Sequence, residues 1–189
     1  MSGEKSPKRP AKVKEQQGIY DIPERYEIIG GVRYDFLSSP IFVHQKILTN
    51  LHLAFHGACS LEGEIILAPM DVHFDEENIV QPDLIFVAAS NLGIIRDGYV
   101  FGVPDLLVEI LSDSTGSRDK TLKKSLYERA GVKEYWLVDP IYRTVDQFVL
   151  EDGRYRLAAT LAEPDFLESP TIPCLSVDLV AIFPKDSRQ

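Results

Sequence analysis

"VPDLLVEILSDST", residues 103–115, is the stretch on which the fold turns. It is apolar enough for a buried strand, and side chains alternate along a strand, so Leu107, Glu109 and Leu111 share one face. One carboxylate therefore sits among leucines, valine and isoleucine. A second stretch repeats the pattern: in "NIVQPDLIFVAAS", residues 78–90, Asp83 follows Pro82 and opens another apolar run. Each acid alone has an ordinary explanation. A buried glutamate is costly unless it meets a cation, such as a helix lysine, and an aspartate at a strand end can accept a backbone N–H. Two such acids on neighbouring strands are a different matter, because close carboxylates repel unless a cation stands between them. Hard oxygen ligands of this kind suit Mg²⁺, which keeps several waters and is commonly held by one or two carboxylates.

Outward from these strands, the chain punctuates itself clearly. "YEIIGGVRYDFL" (26–37) reads as a hairpin about Gly30-Gly31. "SSPIFVHQKILTNLHLAFHGA" (38–58) reads as a helix with Ser39 as N-cap, Pro40 in the first turn and Gly57 as the stop. Strand-like runs follow near 64–74, 79–88 and 105–112. "SRDKTLKKSLYERAG" (117–131) is a second helix, capped by Ser117 and ended by Gly131. "EYWLVDP" and "TVDQFVL" are strands, and Asp152-Gly153 turns the chain into "RYRLAAT". The proline-rich end, from Pro164 to Pro184, reads as loop. Helix, three strands, helix and further strands argue for an α/β or α+β domain with a mixed central sheet flanked by helices.

At 189 residues and 44% hydrophobic content, one domain over residues 19–189 is expected, preceded by a solvated tail over residues 1–18. No apolar run is long enough for a membrane span and no signal peptide is evident, so a cytoplasmic protein is expected. Cys59 and Cys174 are too few for a disulfide framework or a four-thiolate zinc site. The net charge of −9 counts against avid nonspecific nucleic-acid binding but not against a brief local encounter. His52 and His56, at i and i+4, have a zinc-compatible spacing without a third ligand, and read as ordinary helix histidines. Ser112, Ser114 and Ser117 precede the second helix, where they suit either phosphate contact or simple capping.

An acid pair that binds a metal near a phosphate also needs a cationic group for the developing charge. Leu111, two residues beyond Glu109, cannot serve. The second helix places Asp119, Lys123 and Tyr127 along one face, with Leu122 and Leu126 beside them turned inward. Lys123 either reaches the strand acids or pairs with Asp119 at the helix surface. Spacing alone leaves both open.

"HQKI", "VQPDLIFV", "VPDLLVEILSDST" and "RDKTLKKSLYERAGVKEYWLVDP", in that order, resemble the Uma-two family of restriction-type endonucleases, within the PD-(D/E)XK nuclease superfamily. The resemblance runs from about residue 25 to residue 180 and implies a restriction-endonuclease-like αβββαβ core. It also implies a Mg²⁺-dependent (or Mn²⁺-dependent) endonuclease acting on DNA, with Asp83 and Glu109 as metal ligands. The superfamily's lysine normally lies at the position of Leu111; the family pattern moves it to the next helix, where Lys123 matches best. His44 and Gln81 belong to the same pattern and line the site with Tyr127, while the carbonyl of Ile110 adds a metal ligand. Asp113 departs from the family, which often has proline there. A homodimer is expected from the resemblance, since such nucleases pair two sites, and the strands near 144–160 offer an edge for it. The alternative is a catalytically silent nuclease-fold module for DNA association or protein interaction.

Overall fold

The fold, a computed structural model, describes residues 25–35, 39–112 and 119–185. The expected N-terminal tail, Asp113, Ser114 and Ser117 lie outside the described residues, as does the side chain of Asp119.

The chain enters through the hairpin β1 (Tyr26–Ile29) and β2 (Val32–Asp35). Its loop residues, Gly30 and Gly31, have φ of 59° and 74°, the left-handed pair that a primed turn requires. Helix α1 (Phe42–Cys59) follows, then β3 (Gly63–Leu67), β4 (Val72–Asp75), β5 (Asn78–Val80), β6 (Leu84–Ala88), β7 (Ile95–Arg96), β8 (Tyr99–Phe101) and β9 (Leu106–Ile110). A π-type turn, Asp119–Lys123, leads into α2 (Lys124–Ala130). The strands β10 (Glu134–Asp139), β11 (Thr144–Glu151) and β12 (Arg154–Ala162) come next, followed by β13 (Phe166–Glu168), β14 (Ser176–Asp178) and one turn of helix, α3 (Leu179–Ile182).

The main sheet has the order β12-β11-β10-β9-β6-β3 and is mixed, with β9 and β10 parallel and the other neighbours antiparallel. Read along the chain, α1, β3, β6, β9, α2 and β10 reproduce the αβββαβ order. A second sheet, β2-β1-β5-β4-β8-β7, lies against one side of the first. Helix α1 covers the other face: Ile47, Leu48, Leu51 and Phe55, at helical spacing, pack on Phe86, Val108 and Trp136. On the second-sheet side, Ile85, Leu107, Tyr135 and Leu137 meet Val72, Val80 and Val100, with Leu126 and Tyr127 of α2. Strand β9 is thus covered on both faces and buried at every position. That is why any charge on it needs an internal partner.

Several expected boundaries move. The runs near 64–74 and 79–88 are each two strands, broken around Pro69 and Pro82, with one half in each sheet. Proline has no N–H for the ladder, and the breaks let the chain cross between layers. Helix α1 starts at Phe42, with Ile41 at the N-cap making no side-chain cap bond, so Ser39 does not cap it. It also runs through Gly57 to Cys59, because Phe55 and Cys59, buried at 0% and 1% exposure, continue the stripe. Their burial outweighs the roughly 1 kcal/mol that glycine costs inside a helix. The π-type turn changes the helical phase before α2, so Leu122 is 41% exposed while Leu126 is buried. The proline-rich end pairs β13 with β14 rather than forming a loop, burying Leu167 and Val177. Cys59 and Cys174 form one disulfide with a Cα–Cα distance of 5.6 Å, tying the end of α1 to this segment. No helix among the described residues is long and apolar enough to cross a membrane.

Candidate active site

Strands β6 and β9 pair antiparallel with Leu84 opposite Val108 and Ile85 opposite Leu107. One further step in that register sets Asp83 opposite Glu109, yet the Asp83 carboxylate is met by His44 from α1, which covers the face opposite the one that Glu109 enters. The aspartate lies just before β6, where the ladder has ended and its side chain is turned by local partners. Asp83 Oδ2 accepts the backbone N–H of Ile110 at 2.8 Å and lies 3.1 Å from His44 Nε2. An ionised carboxylate only accepts, so the Nε2 tautomer supplies the proton. Asp83 thus ties the start of α1 to the residue after Glu109. The Asp83 side chain is 17% exposed, against 7% for His44.

Glu109 itself points into the layer between the sheets. Its Oε1 accepts from Lys123 Nζ at 2.9 Å and from the Tyr127 hydroxyl at 2.7 Å. Lys123 is the last residue of the π-type turn and Tyr127 stands four residues later, so both reach the same oxygen from one side of the helix. The expected Lys123–Tyr127 face is therefore realised, and the strand acid, at 2.9 Å, is a partner of the lysine. Lys123, Glu109 and Tyr127 are buried, at 2%, 2% and 0% exposure. Burial pushes the Tyr127 phenol well above its ordinary pKa, and the negative charges of Glu109 and Glu27 push it further. Tyr127 is therefore a hydrogen-bond donor here and not a base.

The residue that sequence reasoning missed is Glu27, on β1. It is fully buried, and its Oε1 lies 2.7 Å from Lys123 Nζ and accepts the backbone N–H of Gln81 at 2.9 Å. No signal in "YEII" marked it: only the fold buries Glu27 and Ile29 together, with Ile28 half-buried between them. Two carboxylates thus meet one ammonium in a buried pocket.

Gln81 contributes through its main chain. Its side chain donates to Asp71 Oδ1 at 2.7 Å and accepts from Arg25 at 3.3 Å. Together with Asp71, Asp97 and Tyr99 it lines a shallow surface pocket of about 340 Å³. His52 and His56 stack on each other at 6.0 Å between ring centroids. Among the described residues, no group of three or more His, Cys, Asp and Glu side chains is gathered as for a metal.

Comparison with known proteins agrees with this architecture. The model of the Uma2 family, described as "Putative restriction endonuclease", matches residues 18–180. A solved structure from Anabaena variabilis, described as "a putative nuclease belonging to DUF820", superposes with a TM-score of 0.71 at 18% identity, covering 87% of this chain and 93% of that one. At that identity the likeness speaks for the fold alone. No curated protein matches the chain. With the matched segment spanning β1 through α3's first residues, the chain belongs to the Uma2 family.

Proposed function

We propose that the protein is a Mg²⁺-dependent endonuclease that hydrolyses phosphodiester bonds in DNA, with Asp83 and Glu109 holding the metal and Lys123 acting beside them. The observation that carries this reading is a buried lysine bonded to Glu109 at 2.9 Å, with Asp83 bonded to the residue next along the same strand. A structural ion pair needs no second acid placed at the neighbouring strand end.

The donor chemistry suits a hard cation. Both ligating side chains are carboxylates, and a two-carboxylate set completed by water is common for Mg²⁺, so no larger acidic cluster is required. In an extended strand the N–H and C=O of one residue point the same way, so the Ile110 carbonyl shares the edge where its N–H meets Asp83. A bound divalent ion would supply an activated water and neutralise charge on the phosphate. The chain's own groups do the rest. His44 fixes the Asp83 carboxylate, Tyr127 and Lys123 fix Glu109, and the Lys123 ammonium offers positive charge to the phosphoryl oxygens as negative charge builds there. Two sites paired in a homodimer would serve the two strands of a duplex, and β12, a nine-residue strand at the edge of the main sheet, suits that pairing.

A catalytically silent module is the competing reading, favoured by Leu111 at the usual lysine position and by the net charge of −9. Incubating supercoiled DNA with the protein and Mg²⁺ or Mn²⁺ separates the two. The nuclease reading expects nicking by the wild type and none by Asp83→Ala; equal nicking by both, or by neither, removes it.

A further inference from the structure

Glu27 belongs to none of the motifs that drew attention to the site. It is nevertheless fully buried, and its 2.7 Å contact with Lys123 Nζ is at least as short as the one that Glu109 makes. Its position does not depend on the lysine. The Gln81 N–H holds the same oxygen, and β1 is anchored to β5 through Ile28 opposite Ile79. Gln81 directly precedes Pro82 and Asp83, so one segment fixes both Glu27 and the first metal-binding acid.

Resting on the nuclease reading, we propose that Glu27 is a positioning residue that keeps the Lys123 ammonium in place when Glu109 gives its charge to a divalent cation. Glu27 would then be a permanent partner of the lysine and Glu109 an exchangeable one. The coupling is electrostatic. Lys123 sits on Glu109 Oε1, so a cation approaching that carboxylate competes with an ammonium already there. A metal that draws Glu109 away would strip countercharge from a buried ammonium beside a divalent charge, which is strongly unfavourable. Glu27 removes that penalty, since it bonds Lys123 from a second strand and carries no duty toward the metal. It also lowers the summed charge around the cation. Without Glu27, Lys123 leans more strongly on Glu109 and holds that carboxylate against the metal.

The test is Mn²⁺ binding to the full chain by titration calorimetry, with no DNA present. Wild type, E27Q, K123M, the double variant E27Q/K123M and D83A are compared. Wild type is expected to bind and D83A to lose binding; failure of either overturns the nuclease reading and this inference with it. E27Q is expected to weaken Mn²⁺ by about tenfold, a usual size for coupling between groups in contact. In the K123M background the same substitution is expected to change affinity by less than about twofold, because its effect runs through the lysine. If D83A abolishes binding but E27Q binds as wild type, or weakens binding equally in both backgrounds, the role of Glu27 falls and the metal site stands. Should E27Q fail to fold, Glu27→Asp replaces it, keeping the charge but withdrawing it from Nζ; the expected loss is smaller and again absent without Lys123. Wild-type affinity in that variant counts against the proposal.

Discussion

Asp83 Oδ2 accepts the N–H of Ile110 at 2.8 Å, one residue beyond Glu109. The contact gives the aspartate a structural duty as well as the proposed ligating one, and the two can be separated. Asp83→Asn keeps a carbonyl oxygen for the amide while removing the charge. It is expected to fold within about 1 kcal/mol of wild type yet lose nicking, whereas Asp83→Ala also leaves the Ile110 N–H unpaired at roughly 1–3 kcal/mol. Urea unfolding read beside plasmid nicking checks both halves. Equal stability of the two variants contradicts the structural half.

The phenols give a signature at high pH. Burial pushes Tyr127 and Tyr155 well above the ordinary value of 10.0, helped by Glu109 and Glu27 for the first and by Glu128 and Glu134 for the second. A group whose folded pKa is raised contributes stability that is complete below the unfolded pKa. That stability is lost as pH rises above it, because the unfolded chain then binds fewer protons. Tyr127 and Tyr155 are thus expected to ionise only with alkaline unfolding. Tyrosinate absorbance should rise in step with loss of ellipticity for those two, and their titration in the folded protein would contradict the burial described here.

Asp105 reports at the acid end. Burial pushes its carboxyl up, but bonds from Lys133, the Ala88 N–H and Asn91 outweigh this and hold it below 3.8. Its contribution is therefore present above the unfolded pKa and lost as pH falls through the lower folded one. Lys133→Met should move the acid-unfolding midpoint to higher pH. The Lys133 side chain is 65% exposed, so screening limits the loss near neutral pH to roughly 0.5–1 kcal/mol. An unchanged midpoint by circular dichroism would show that the pair does nothing.

On β10, Glu134 is a buried carboxylate held by neutral donors. Trp136 Nε1 (2.6 Å), Gln147 Nε2 (2.8 Å), Ser169 Oγ (2.6 Å) and Thr171 Oγ1 (2.5 Å) all donate to it. It fastens the segment after β13 to the main sheet. Glu134→Gln turns an acceptor into a donor facing donors and should cost about 3 kcal/mol or more. Equilibrium unfolding followed through Trp136 fluorescence measures it, and a loss under 1 kcal/mol would mean that the network rearranges cheaply.

The acids were legible because they break a rule: Asp83 and Glu109 stand where burial disfavours charge, and that anomaly calls for a partner. Lys123 was legible as one of two options, and the choice needed coordinates, since only they show Nζ on Glu109. Glu27 was hidden because "YEII" is short and looks like a surface hairpin; its burial comes from the second sheet, a layer that local pattern does not encode. Apolar content joins β3 to β4 and β5 to β6, although Pro69 and Pro82 mark where each pair separates. A uniform helical period turns Leu122 inward, and the π-type turn before α2 turns it out.

The most direct measurement is a crystal structure of the protein grown with Mn²⁺ and recorded for anomalous scattering. The account predicts a peak bound by the Asp83 and Glu109 carboxylates, with Lys123 Nζ still held by Glu27. A map with no peak there at saturating Mn²⁺, and with Lys123 and Tyr127 still filling Glu109 Oε1, would contradict it.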